Sequence, residues 1–151
     1  MNYNHFDTLL VHAGRIKSGS NGPCATPLYQ TSSFLFDNSQ QAADLFALKE
    51  PGHIYTRLSN PTTGVLEQRI AALEASAAAV ATSSGQAAQF IAIQNIAESG
   101  DNIVSSMSLY GGTYNQFKIS FARLGIEFRF AQKGGTEEYE KLIDSRTKAI
   151  F

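Results

Sequence analysis

The sequence has a single cysteine, three histidines and no excess of either charge. Cys24, alone in a Gly/Pro/Ala segment, excludes an internal disulfide and fits a reducing compartment. His5, His12 and His53 fall in separate segments without ligand spacing, so no histidine-built metal centre is expected. No apolar run approaches the roughly 20 residues that cross a bilayer. Twelve basic and thirteen acidic residues give a net charge of −1, and the basic ones are scattered. That excludes a nucleic-acid footprint, which needs clustered Lys and Arg. The opening MNYNHFDTLL lacks a basic stretch followed by an apolar one, so no signal peptide is expected and a cytoplasmic location follows.

What remains is an ordinary globular composition, 43% apolar and 17% charged over 151 residues, enough for a domain with a core. Residues 1–60 read as an arm that packs on something else, with another subunit as the expected partner. In it Phe6–Val11 reads as a short helix, Arg15–Pro27 as loop, Thr31–Phe36 as a strand and Ser39–Leu48 as a capped helix. From Asn60 a regular alternation begins. Asn60-Pro61 caps a helix with Leu66, Ile70 and Leu73 on one face. Strands are expected over 77–82, 102–106, 126–131 and 147–151, with helices over 86–97, 112–124 and 136–143 between them. Such alternation predicts an α/β fold with a mainly parallel sheet and helices on both faces. The last strand stops with the alternation incomplete, so residues 61–151 read as the first part of a larger domain.

Ligands of parallel sheets gather at the carboxyl ends of the strands. Two turns fall there, Ser83–Gln86 and Ser108–Gly112. In the first, Thr82-Ser83-Ser84-Gly85 runs straight into a helix. Free amides, small hydroxyls and a helix dipole then meet at one point suited to a phosphate, and Gly85 leaves room for close approach. By itself such a turn is as consistent with a plain helix cap. In the second, Tyr110 is placed to lie on a planar group or, equally, to close the core's rim. A third candidate is Tyr55-Thr56-Arg57, where a guanidinium fork and a phenol leave the same side of an extended chain. In isolation that tripeptide is more simply a surface arginine beside a tyrosine.

In this order the pieces resemble the N-terminal part of the Cys/Met-metabolism family of pyridoxal-phosphate enzymes, which have the type I aminotransferase fold. The resemblance rests on TLLVHAG, PLYQTSSFLF, IYTRLSNPTTGVLEQRIAALE, ATSSGQAA and SLYGGTYNQF. Within the family, LFALKEPGHIYTR and GDNIVSSMSLYGGTYNQF look most like O-acetylhomoserine sulfhydrylases. The resemblance implies that Tyr55 and Arg57 bind the cofactor phosphate in a neighbouring subunit's site. It implies that Gly85 and Gln86, with Ser84 adjacent, hold that phosphate through backbone amides. It also implies that Tyr110 stacks on the pyridine ring and assists proton transfer, and that the protein is a homotetramer acting on an amino-acid substrate. The implied reaction makes homocysteine from O-acetylhomoserine and sulfide; cystathionine γ-synthase or methionine γ-lyase chemistry is the alternative.

The family's Schiff-base lysine, ring-nitrogen aspartate and carboxylate-binding arginine have no match here. Ser145-Arg146-Thr147-Lys148 imitates the lysine motif, but Lys148 begins a strand about 15 Å from the ligand rim (five residues at ~3.3 Å each). Lys17, Lys49, Lys118, Lys133 and Lys141 have no supporting context, and Asp101 and Asp144 sit on the opposite rim. The 151 residues alone are therefore expected to be inactive, which leaves a noncatalytic assembly module as a competing class. A dinucleotide-binding domain is disfavoured, because SSGQAA carries one glycine where the fingerprint needs three.

Overall fold

Side-chain caps start three of the helices. Asn38 Oδ1 accepts from the Gln41 amide at 2.9 Å, Asn60 Oδ1 from Thr62 at 2.9 Å and Ser84 Oγ from Ala87 at 3.1 Å. Each satisfies an amide that has no partner in a first helical turn. The structure, a computed structural model, describes residues 5–15, 21–132 and 135–151. Lys17 and Lys133 lie outside the described residues. The chain divides into two compact units, Met1–Ala81 and Thr82–Phe151.

The first unit contains α1 (Phe6–His12), α2 (Ser39–Phe46) and α3 (Pro61–Leu73). α1 packs on α3. The chain leaves α1 through Gly14 at φ 73°, where an added Cβ would run into the Val65 carbonyl and lie 3.1 Å from the Arg69 amide. Only glycine combines that backbone with so close an approach. Arg69 Nε closes the contact by donating to the Ala13 carbonyl at 2.9 Å. α3 is helical as its cap predicts, but its buried residues are Val65 and Ala71, while Leu66 and Ile70 remain exposed. The face set by α1 and Gly14 is thus offset from the apolar stripe that periodicity marks. Thr31–Phe36 is not a strand. Its one ladder element is an antiparallel bridge from Ser33 to Tyr55.

The second unit comprises α4 (Gly85–Gln94), β1 (Asn102–Ser106), α5 (Gly111–Asn115), a π-helical turn (Gln116–Phe121), β2 (Glu127–Ala131), α6 (Thr136–Leu142) and β3 (Thr147–Ile150). The strands form a parallel sheet in the order β2-β1-β3, with Ile103 opposite Phe128 and Ala149. Neighbouring Ile103 and Val104 point to opposite faces, and both are fully buried, so helices cover the sheet on both sides. On one face Ile93 of α4, Ala97 beyond its end, and Phe117 and Phe121 of the π turn enclose Ile103 and Ile126. α6 packs against β1 and β2. No described helix is long and apolar enough to cross a membrane.

Two further expectations fail locally. Residues 77–82 form no strand: among the described residues they have no ladder partner, and the Ala81 amide donates instead to Glu67 Oε1 at 2.9 Å. An apolar run becomes a strand only when a neighbour takes its backbone groups. The helix expected over 112–124 is interrupted by the π turn, which carries the fully buried Phe117 and Phe121.

A polar network ties the amino ends of β1 and β3 together. Asn102, fully buried, donates to Asp144 Oδ1 at 2.8 Å and accepts from Thr147 Oγ1 at 2.7 Å. Arg129 reaches Asp144 at 2.9 Å and Glu127 at 3.0 Å. The Asn102 amide, then the Arg146 backbone N–H and Arg129, hold the Asp144 carboxyl well below the usual carboxylate range. A carboxyl whose folded pKa is depressed contributes stability above its unfolded value, near 3.9, and loses it as the pH falls further. Asp144→Asn should therefore destabilise the protein at pH 7. The gap to wild type should close progressively below about pH 4, as followed by thermal unfolding across pH. A gap that persists unchanged into acid would contradict this role.

Candidate active-site elements

In the first unit, Tyr55 and Arg57 sit in one tightly bonded turn. The amides of Leu58 and Ser59 both donate to the Tyr55 carbonyl, at 2.8 and 3.1 Å. Phe34 donates to the Ile54 carbonyl, and Thr56 to that of Ser32, so the turn is stitched to the preceding chain on both sides of Tyr55. Thr56 Oγ1 donates to the Thr31 carbonyl. Behind it, buried Asn60 donates to the Tyr29 carbonyl and to Thr56 Oγ1, at 2.9 and 3.1 Å, while its oxygen caps α3. His53 meets Ser59 Oγ at 2.9 Å. With the backbone held this way, both Tyr55 and Arg57 face solvent, and the guanidinium carbon lies 5.5 Å from the Tyr55 ring centroid. A cation over an aromatic face keeps its N–H fork free for an anion.

In the second unit the start of α4 has the geometry of an anion cradle. Ser84 spends its hydroxyl on Ala87 and its carbonyl on Ala88. The Gly85 and Gln86 amides, in the first turn, have no intrahelical acceptor. A Cβ on Gly85 would meet nothing within 4 Å, so the approach to these amides is open. β1 ends in a turn where Ser108 donates to Ser106 Oγ and Leu109 to the Met107 carbonyl, at 3.0 and 2.9 Å. Leu109 packs on the core and Tyr110 projects outward, 78% exposed.

The two turns meet at Gly112. The position its Cβ would occupy is 2.6 Å from Tyr110 Cε1 and 3.1 Å from Gln86 Nε2. The Tyr110 ring, which follows β1, therefore lies beside Gln86 in the first turn of α4. Gly112, Gln89, Thr113 and Gln116 carry this junction and were not picked out from sequence as site residues. Gln89 and Thr113 bond at 3.1 Å, and Gln116 Nε2 donates to the Gln86 carbonyl at 3.0 Å. The Gly111-Gly112 pair was the one available hint. The opposite rim holds what was set aside: Lys148 pairs with Asp101 at 3.6 Å, and Asp144 belongs to the Asn102 network. No group of His, Cys, Asp and Glu among the described residues could hold a metal ion.

These elements fit a phosphorylated, planar cofactor: unspent amides behind an open glycine, and an exposed flat ring next to them. Comparison with known proteins agrees. The Saccharomyces cerevisiae homocysteine/cysteine synthase is 57% identical over 97% of this chain and 34% of its own length. The Thermus thermophilus O-acetyl-L-homoserine sulfhydrylase 1 is 51% identical over 95% and 34%. A Campylobacter jejuni structure under the name O-acetylhomoserine (thiol)-lyase superposes with a TM-score of 0.91 at 41% identity. It covers 99% of this chain and 36% of that one, and carries N'-pyridoxyl-lysine-5'-monophosphate. The chain thus spans about a third of the length of the relatives it matches. The model of the family described as "Cys/Met metabolism PLP-dependent enzyme" matches residues 7–151, and the chain belongs to that family.

Proposed function

We propose that this chain forms the phosphate-binding and ring-stacking part of a pyridoxal-phosphate enzyme that makes homocysteine from O-acetylhomoserine and sulfide. The observation that carries the reading is the meeting of Gln86 and Tyr110 at an open helix start. The names of the sulfhydrylases and homocysteine synthases at 44–57% identity support this reaction over related γ-lyase chemistry. On this reading the Gly85 and Gln86 amides take the phosphate oxygens, with the α4 dipole adding to their pull. Ser84 holds the first turn in shape by capping it. Tyr110, exposed beside Gln86, would stack on the heterocycle and could hold or pass a proton through its phenol. The cofactor, when bound, supplies an electron sink for charge developing on the substrate.

Residues 1–60 are assigned as an arm toward a neighbouring subunit and 61–151 as the first part of the cofactor domain. Tyr55 and Arg57 are assigned to the phosphate of the neighbouring subunit's site, within a homotetramer of shared sites. The protein is assigned to the cytoplasm. The test is a chimera in which these 151 residues replace the matching first third of the Saccharomyces cerevisiae relative. Its pyridoxal-phosphate form should convert O-acetylhomoserine and sulfide to homocysteine, and Tyr110→Phe should lower kcat more than it raises KM. A folded chimera that binds no pyridoxal phosphate, or that acts on methionine but not on O-acetylhomoserine, would overturn the reading.

A further inference from the structure

Two local irregularities coincide at Gln116. It opens the π-helical turn, and its Oε1 is buried with no hydrogen-bond partner among the described residues. A regular α turn with an apolar side chain would remove both, since π geometry is rare and an unmade buried acceptor costs stability. The amide cannot simply be turned over, because its Nε2 faces the Gln86 carbonyl at 3.0 Å and only the nitrogen can donate there. That carbonyl already serves as an α4 acceptor, so the Gln116 bond is a second one and not needed for helix formation. What the bond does is pin Gln86, the residue whose amide is assigned above to the cofactor phosphate. It also ties that residue to the element that follows Tyr110.

We infer that Gln116 is a positioning residue that holds the Gln86 end of the anion cradle in register with the Tyr110 ring, at a net cost in fold stability. Gln89 and Thr113, bonded one helical turn further along α4, form the second tie of the same junction. This inference rests on the proposed role of Gly85 and Gln86 in phosphate binding.

Opposed effects of one substitution test it. Gln116→Met keeps the side chain's length and removes both the donor and the unpartnered acceptor. Gln116→Asn keeps an amide but falls short of the Gln86 carbonyl. The 151-residue chain is titrated with pyridoxal 5'-phosphate and, separately, with unphosphorylated pyridoxal, while backbone amide resonances of Gly85 and Gln86 are followed by NMR. Thermal unfolding of each variant is measured in parallel. The expected result is that the phosphate ester moves both wild-type amides. Its apparent Kd should rise about tenfold in each variant, pyridoxal should stay unaffected, and the Gln116→Met midpoint should be equal to or above wild type. If the wild-type amides move but the variants bind equally well, the positioning role falls and the cradle stands. If affinity and thermal stability fall together, Gln116 is a structural residue. If the wild-type amides do not move, the cradle itself is wrong and the inference goes with it.

Discussion

Phe117→Ala should remove a large share of the stability of the Thr82–Phe151 unit and move its unfolding midpoint far below that of the wild type. Phe117 is fully buried, stacks on Phe128 with ring centroids 4.0 Å apart and 17° between planes, and meets Phe151 edge-on at 4.8 Å. Phe121, also fully buried, lies 5.9 Å from it and 5.3 Å from Phe90. With Ile103 of β1 and Ala149 of β3, the rings of Phe90, Phe117, Phe121 and Phe128 join α4, the π turn and all three strands in one cluster. Removing a buried phenyl ring costs about 3–5 kcal/mol. Whole small domains have only about 5–15 kcal/mol to lose. Ile119, on the same turn but half exposed, is the control: Ile119→Ala should change stability by about 0.5 kcal/mol or less. Urea unfolding followed by circular dichroism separates the two. Equal midpoints for Phe117→Ala and wild type would show that the aromatic cluster is not what holds the unit together.

Arg57→Ala should weaken pyridoxal-phosphate binding about 30-fold in the family-length chimera, a loss of about 2 kcal/mol. A charge-assisted hydrogen bond contributes about 1.5–3 kcal/mol. The Tyr55 ring beside the guanidinium and the bonded turn beneath it leave little ordering entropy to be lost on binding. Arg57→Lys should recover only part of the loss, since an ammonium lacks the fork that meets two phosphate oxygens at once. Tyr55→Phe keeps the ring under the guanidinium and loses one donor, so its effect should be the smallest of the three. Equilibrium dialysis of the cofactor measures all of them. Wild-type affinity in Arg57→Ala would remove Arg57 from the site.

Local signals made much of this fold readable. Asn38, Asn60 and Ser84 announce their helices because a cap acts within three residues. The three parallel strands were marked by short apolar runs between helices. What escaped depends on distant partners. Residues 77–82 are as apolar as a strand, yet whether they join a ladder is decided by a neighbour and not by their own composition. The Leu66–Ile70 stripe is helical in period, but α1 and Gly14 choose a different face of α3. The sequence QFKISF gives no sign of π winding. The site follows the same division. Ser84, Gly85, Gln86 and Tyr110 are candidates that small polar turns and the family's motifs mark, and the structure brings Gln86 and Tyr110 together at Gly112. Gly112 and Gln116 matter only through contacts made across the junction, which no spacing along the chain reveals.

Asn60 has a mechanical consequence. One amide side chain, shut away from water, grips the first turn of α3 with its oxygen, and the Tyr29 carbonyl and Thr56 hydroxyl with its nitrogen. The loop that displays Arg57 and the thirteen-residue rod behind it consequently move as a single lever, not as a tether and its post. Any anion that the proposed role of Arg57 brings to the guanidinium would then load the root of that rod, where slack would otherwise absorb the pull.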